Sequence, residues 1–259
     1  MFIKKSIYMR SLRRRRHITI YVPDDYQTSN KRYPVLYIND GQNAFFDEES
    51  YMGISWGFYD YVKETNLDII MVAIPCNFNP NKREDEYGPW PIGKEVLKME
   101  YGDDSLQIGG EGDKYLRFII KQLKPYIDRH FPTIVDDCAM VGSSMGGIIT
   151  SYAGIKYADV FKKTASLSTA YWFYVDEFID LIHKSDMSPV ECFYLDLGGN
   201  EGNGDEEISR IYYESNDIIY EELIKKCDKV HVEFFEEAVH NESEWRKRVP
   251  IFMDLFYRQ

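Results

Sequence analysis

The sequence of 259 residues has no long apolar run, few cysteines and no excess of positive charge. No stretch approaches the roughly 20 apolar residues of a membrane span, so we expect no membrane-spanning helix. The N-terminal stretch MFIKKSIYMRSLRRRR lacks the continuous apolar segment of a secretion signal, which favours a cytoplasmic protein. The four cysteines lie far apart without a CxxC pair, so we expect buried free thiols rather than disulfides or zinc ligands.

The charge balance argues against nucleic acid as a partner. The formal net charge is -12, and an acidic surface repels phosphate backbones. The run Arg13–Arg16 is the exception, and it is either an anion-binding patch or a solvated turn that leads into a strand. Because no aromatic residue or second basic cluster accompanies the run, we favour the solvated turn.

Short runs rich in β-branched and aromatic residues alternate with helical stretches along the whole chain. Most runs are apolar without alternation, as in strands covered on both faces, whereas the first alternates as an edge strand would. Strand followed by helix, repeated, predicts an α/β fold with a mostly parallel central sheet and helices on both faces. The predicted strands are His17–Pro23, Pro34–Asn39, Ile69–Pro75, Cys138–Gly142, Thr164–Ser168, Cys192–Gly198 and Val230–Phe235.

The chain contains no linker, repeat or low-complexity segment, which predicts a single domain over residues 1–259. Two long irregular stretches, Asn77–Gly112 and Thr169–Val190, interrupt the pattern of strands and helices. Irregular stretches of this length are usually functional loops. We expect residues 169–190 to form a small cap or a wall of the binding pocket.

One short motif points to chemistry, the pentapeptide GSSMG at residues 142–146. It fits G-x-S-x-G with Ser144 at its centre, between the apolar run CAMV and the helical stretch GIITSYAGIKY. A serine on such a turn exposes its hydroxyl above the carboxyl end of the sheet. Glycine at the flanking positions, 142 and 146, removes Cβ atoms that would clash in the turn. The motif predicts that Ser144 is a nucleophile, although a glycine-rich turn with a capping serine is the alternative.

A serine nucleophile needs a base and an acid that orients the base. Where this motif is catalytic, the chain order is serine, acid, histidine. His240 lies in the loop expected after the last strand, so we predict that it is the base rather than His183 or His231. Glu201 follows the penultimate strand and is the candidate acid, with Asp205 as the second candidate.

The remaining parts of the site are predicted from loops. The backbone N–H groups of Met145 and Gln42 are the candidate oxyanion hole, the second at a turn after an early strand. Trp172, Trp90 and Arg83 are the candidate substrate-binding residues. The alternatives are core packing for Trp172 and pairing with Glu84 or Glu86 for Arg83. The acidic spacing after Glu201 does not match a calcium loop, so we expect neither a metal nor a cofactor.

Five segments together resemble the putative-esterase family of α/β-hydrolases, which includes esterase-D-like enzymes, feruloyl and siderophore esterases and mycolyltransferases. The segments are YINDGQNAFFDEES, REDEYGPWP, MVGSSMGGIITSYAGIKYADVF, YLDLGGNEG and HNESEWRKRVP. The resemblance runs from about Ile18 to the C-terminus. Two features depart from many members: Asn39 stands where they have histidine or leucine, and the acid is often aspartate.

The resemblance implies an α/β-hydrolase fold and hydrolysis of a small-molecule carboxylic ester, with Ser144, His240 and Glu201 as the triad. It also implies the Gln42 and Met145 amides as the oxyanion hole. Acyl transfer on the same residues, a catalytically silent binding module and a peptidase are the alternatives. The resemblance leaves the acyl group, the alcohol and the oligomeric state open.

Overall fold

The computed structural model describes residues 1–258, which form an eight-stranded sheet with helices packed against both faces. The strands are β1 (Phe2–Met9), β2 (Arg14–Tyr21), β3 (Tyr33–Asn39), β4 (Ile70–Ile74), β5 (Thr133–Ser143), β6 (Lys163–Leu167), β7 (Cys192–Asn200) and β8 (Val230–Val239). The helices are α1 (Phe58–Thr65), α2 (Lys82–Tyr87), α3 (Lys94–Tyr101), α4 (Gly112–Phe118), α5 (Lys124–His130), α6 (Met145–Lys156), α7 (Val175–Lys184), α8 (Glu206–Ile224) and α9 (Glu242–Tyr257).

The sheet has the order β1-β2-β4-β3-β5-β6-β7-β8. Strands β3 to β8 are parallel, and β1 and β2 are joined to them by antiparallel pairing. The predicted α/β fold with a mostly parallel sheet is therefore confirmed. Because parallel strands end at one edge, the loops after β3, β4, β5, β7 and β8 meet above the carboxyl ends of the strands.

The prediction that the run at His17–Pro23 forms an edge strand was wrong. It lies in β2, and β1 covers its outer side through eight paired residues. Strand β1 escaped prediction because Lys4 and Lys5 interrupt its apolar residues. Exposed lysines are common on edge strands, where they oppose pairing with a further chain.

The two stretches predicted as irregular contain helices. Residues 77–112 include α2 and α3, and residues 169–190 include a 3₁₀ turn at Tyr171–Phe173 followed by α7. The helical stretch before β5 is divided into α4, a π-helical segment at Ile119–Leu123 and α5. Pro125, in the first turn of α5, has no N–H to donate and so disturbs the preceding turn of the helix.

Within residues 1–258, no helix has both the length and the apolar character required to cross a membrane. The same part of the chain gathers no group of three or more His, Cys, Asp or Glu side chains suited to a metal ion. The four cysteines are all free and buried.

Candidate active site

Ser144 occupies a strained turn between β5 and α6. Its backbone has φ 56° and ψ -121°, in the left-handed half of the map that residues with a Cβ rarely adopt. Its N–H donates to the carbonyl oxygen of Leu167 at 2.9 Å, which ties the turn to the end of β6. A Cβ on Gly142 would lie 2.2 Å from the carbonyl oxygen of Gly146, so only glycine allows the helix to start this close to the strand.

His240 lies directly after β8, and the start of α9 fixes its position. Asn241 caps that helix, because its side-chain oxygen accepts from the backbone N–H groups of Ser243 and Glu244. The rings of Tyr212 and Trp245 flank the imidazole, with centroids 5.1 and 5.0 Å from its own. The ring plane of His240 is therefore held from two sides.

Glu201 holds one nitrogen of this imidazole. Its Oε2 lies 2.6 Å from His240 Nδ1, whereas its Oε1 accepts from the Ser168 hydroxyl at 2.7 Å and from the Gly198 N–H. Burial alone would raise the pKa of Glu201, but the hydrogen bonds from His240, Ser168 and Gly198 outweigh it and hold the pKa below the ordinary value. An ionised Glu201 accepts a hydrogen bond from the Nδ1–H of His240, so Nε2 is left as the basic nitrogen.

Of the two candidate acids, the structure brings Glu201 and not Asp205 to His240. Asp205 is the cap of α8, and its side chain accepts from the N–H groups of Glu207 and Ile208. The other two histidines considered lie elsewhere. His183 is on α7 against Glu222, and His231 is an exposed residue of β8.

Ser144 and His240 line one cavity of about 450 Å³. Gln42 and Arg83 line it as well. Because Ser144 follows β5 and His240 follows β8, the folding of the sheet unites residues that are 96 positions apart in the sequence. The cavity is open to solvent and holds space for a small molecule beside the serine.

The two predicted oxyanion donors belong to first turns of helices. Met145 is the first residue of α6, and Gln42 lies in the 3₁₀ turn Gly41–Asn43. First-turn N–H groups have no acceptor within their own helix, so they can serve a ligand. The side chain of Gln42 accepts from the N–H of Cys76 at 3.1 Å, which holds this turn against the end of β4. A Cβ on Gly41 would lie 2.2 Å from the Ile74 nitrogen, so this close approach requires glycine.

The three candidate substrate-binding residues differ in their placement. Arg83 lines the cavity, and its Nε and Nη2 donate to the two carboxylate oxygens of Asp40 at 2.9 and 2.8 Å rather than to neighbouring glutamates. Trp90 packs against Tyr152, Tyr174 and Phe178, outside the set of residues that line the cavity.

Trp172, too, is not among the residues that line the cavity. It stacks on Phe173 with ring centroids 4.0 Å apart and contacts Tyr212, whose ring in turn contacts His240. Sequence reasoning missed Tyr212 and Ser168 as neighbours of the site. The position of Ser168 at the end of the predicted strand Thr164–Ser168 was the available signal, whereas nothing in the pattern of α8 distinguishes Tyr212.

Comparisons with known proteins agree with this architecture. A family model described as "Putative esterase" matches residues 9–251. The uncharacterized protein YbbA of Bacillus subtilis (strain 168) is 26% identical over 239 residues, which are 90% of this chain and 89% of that protein.

Two solved structures are similar in fold. An IroE-like serine hydrolase from Shewanella oneidensis superposes with a TM-score of 0.78 and 21% identity, over 99% of this chain and 80% of that chain. The enterobactin esterase FES from Shigella flexneri superposes with a TM-score of 0.74 and 15% identity, over 99% of this chain and 58% of that chain.

Proposed function

Because the chain belongs to the putative esterase family, we propose that it hydrolyses carboxylic esters with Ser144 as the nucleophile, His240 as the base and Glu201 as the orienting acid. The observation that carries the proposal is the 2.6 Å contact between His240 Nδ1 and Glu201 Oε2, beside the cavity that Ser144 also lines. Family membership supports ester hydrolysis, and this geometry supports the choice of residues.

In the first half of the reaction, the Ser144 hydroxyl oxygen attacks the ester carbonyl and its proton passes to His240 Nε2. Glu201 stays ionised and stabilises the imidazolium that forms. The negative charge on the carbonyl oxygen is met by the N–H groups of Met145 and Gln42, each worth about 3–4 kcal/mol in the transition state. The C–O bond of the ester then breaks, and the alcohol leaves with the proton from His240.

In the second half, water attacks the acyl group on Ser144, with His240 taking the proton from water. The tetrahedral species then collapses, Ser144 regains its proton and the carboxylic acid leaves. We propose that residues 1–259 act as one hydrolase domain in which the segment 169–190, which contributes no residue to the lining of the cavity, supports the site through Tyr212 instead of forming a pocket wall. Contact of Trp172 with Tyr212, and of Tyr212 with His240, supports that placement. The substrate is a small-molecule ester, in keeping with the size of the cavity.

The test is hydrolysis of a panel of 4-nitrophenyl esters with short, long and aromatic acyl groups by the purified protein. Ser144→Ala is expected to lower kcat/KM by about a thousandfold or more, with circular dichroism and melting temperature close to wild type. His240→Ala is expected to do the same, whereas His231→Ala, on the exposed strand β8, retains activity. Hydrolysis by Ser144→Ala at the wild-type rate would refute the assignment of the nucleophile.

A further inference from the structure

The arginine run that the sequence analysis left without a function lies at the same edge of the sheet as Ser144. Only Arg13 belongs to the expected turn; Arg14, Arg15 and Arg16 begin β2, and Arg16 is buried. Because β2 is antiparallel to β4, the first residues of β2 lie beside the carboxyl end of β4. Parallel strands β4 and β5 end at one edge, and Ser144 follows β5, which places the arginines at the same edge as the candidate active site, with β4 and β3 between them.

A groove of about 430 Å³ separates the arginines from the chain that follows β4. We call it the arginine groove; it is lined by residues 14–17 on one side and residues 75–79 on the other. Residues 76–79 also line the cavity of Ser144, so the two spaces share one wall. Phe78 is part of this wall and its side chain is 66% exposed, which offers an apolar surface between the two spaces.

The arginine groove is preformed, and its uncompensated positive charge is that of Arg15. Arg16 forms an ion pair with Glu86, which is fully buried behind it, and Arg14 pairs with Glu86 and Glu111. These pairs fix the two guanidinium groups without filling the groove. Arg15 is exposed and forms no ion pair within residues 1–258, and none of the nine residues that line the groove is acidic.

The neighbouring cavity has the opposite balance of charge. Its lining includes three carboxyl side chains, Asp40, Glu84 and Glu242, against the single guanidinium of Arg83, which Asp40 already binds. An anionic group is therefore repelled beside the serine and attracted beyond Phe78. This polarity would orient a substrate that carries an ester at one end and a negative charge at the other.

We propose that the arginine groove binds an anionic group, such as a carboxylate or phosphate, carried by the ester that Ser144 attacks. The proposal rests on the proposed function and adds a substrate class to it. The reacting carbonyl lies at Ser144, the connecting part of the substrate crosses Phe78, and the charged end lies beside Arg15.

The test compares two series of 4-nitrophenyl esters of increasing acyl length, one ending in a methyl group and one in a free carboxylate. The measured quantity is the ratio of kcat/KM for the carboxylate ester to kcat/KM for the neutral ester of equal length. In Arg15→Gln this ratio falls about two- to fivefold at the lengths that reach the groove, and in Arg15→Glu it falls about tenfold. The wild-type ratio decreases as salt is added, because the attraction is screened.

Arg129→Gln is the matched control, an arginine on α5 that lines neither of the two spaces. It is expected to keep the wild-type ratio at every length. Equal ratios in wild type and both Arg15 variants at every length would overturn the proposal while ester hydrolysis itself stands. Absence of hydrolysis of both series by the wild type would instead refute the proposed function, and this proposal with it.

Discussion

At the scale of single residues, Ser168 connects the proposed triad to a buried ion pair. Its hydroxyl accepts from Trp245 Nε1 at 3.0 Å and from Arg248 Nη1 at 2.9 Å. Because both partners are donors only, the hydroxyl proton points to Glu201 Oε1, 2.7 Å away. One oxygen of Glu201 is thereby occupied, and the other is left for His240.

Ser168→Ala is expected to lower kcat about tenfold and to change KM less than twofold. The loss of a hydrogen bond to a charged group costs about 1.5–3 kcal/mol. Part of this cost raises the activation barrier, because His240 is oriented less well. Without that donor the pKa of Glu201 rises, because the Ser168 hydrogen bond is one of the contacts that lower it, so the acid limb of the pH–rate profile moves to higher pH. Steady-state kinetics across the pH range measure all three effects.

The control for this variant is Ser166→Ala, two residues earlier and within β6. Ser166 is equally buried, and its hydroxyl accepts from Ser151 instead of contacting Glu201. It is expected to lose some stability while keeping the wild-type pH profile. If both variants lose activity in proportion to their loss of stability, and the pH–rate profile of neither shifts, the role of Ser168 is only structural.

The placement of the three proposed triad residues could be predicted from sequence because it follows chain order. Each of the three lies in a loop after a strand of the parallel sheet, and a short motif marks the first. Ser168, Trp245 and Arg248 could not be predicted in the same way. Their contacts join positions 33 to 80 residues apart, and these depend on how α9 packs beneath β6 and β7.

At the scale of secondary structure, the turn between β5 and α6 determines where Ser144 lies. Gly142→Ala is expected to lower the free energy of unfolding by about 1–3 kcal/mol, because the added Cβ meets the backbone of Gly146. It is also expected to lower kcat/KM, because relief of the clash moves the turn. Urea unfolding and ester hydrolysis give the two quantities.

Gly93→Ala provides the comparison for that turn. Gly93 precedes α3 with φ -65°, and a Cβ there meets no atom within 4 Å. The free energy of unfolding of this variant is expected to change by less than about 1 kcal/mol, and its rate of ester hydrolysis is expected to equal that of the wild type. Similar losses in both glycine variants would contradict the claim that the turn has no room for a Cβ.

The sequence indicated seven of the eight strands, because buried parallel strands are continuous apolar runs. It did not indicate β1, whose charged edge-strand composition resembles a loop. It also overlooked α2 and α3, which are short and lack the long amphipathic pattern that identifies helices.

At the scale of the whole molecule, a buried ion pair beneath the sheet edge makes stability depend on pH. Asp196 and Arg248 are both about 1% exposed and lie 2.6 Å apart. Burial raises the pKa of Asp196 to about 6, although Arg248 opposes the shift. A carboxyl group whose pKa is raised by folding destabilises the fold above that pKa, and the cost is relieved as pH falls through it.

Arg248→Met is expected to lower the free energy of unfolding by about 3–5 kcal/mol at alkaline pH, because it leaves Asp196 buried and unpaired. Because Arg248 lowers the pKa of Asp196, its loss leaves that pKa above the wild-type value of about 6, so the variant takes up a proton first and the difference from wild type shrinks as the pH falls toward about 6. Urea unfolding at several pH values measures this. When Asp196→Asn removes the titrating carboxyl group, the change in the free energy of unfolding caused by Arg248→Met should no longer depend on pH in this range. A difference from wild type that is constant with pH would contradict the account of this pair.

The most direct test of the central claim is to locate a fluorophosphonate adduct by mass spectrometry. This probe reacts with a serine only where a base activates it. We predict one adduct per chain, on Ser144, and its loss in both Ser144→Ala and His240→Ala. An unlabelled wild-type protein, or an adduct on the adjacent Ser143, would contradict the claim that Ser144 is the activated nucleophile.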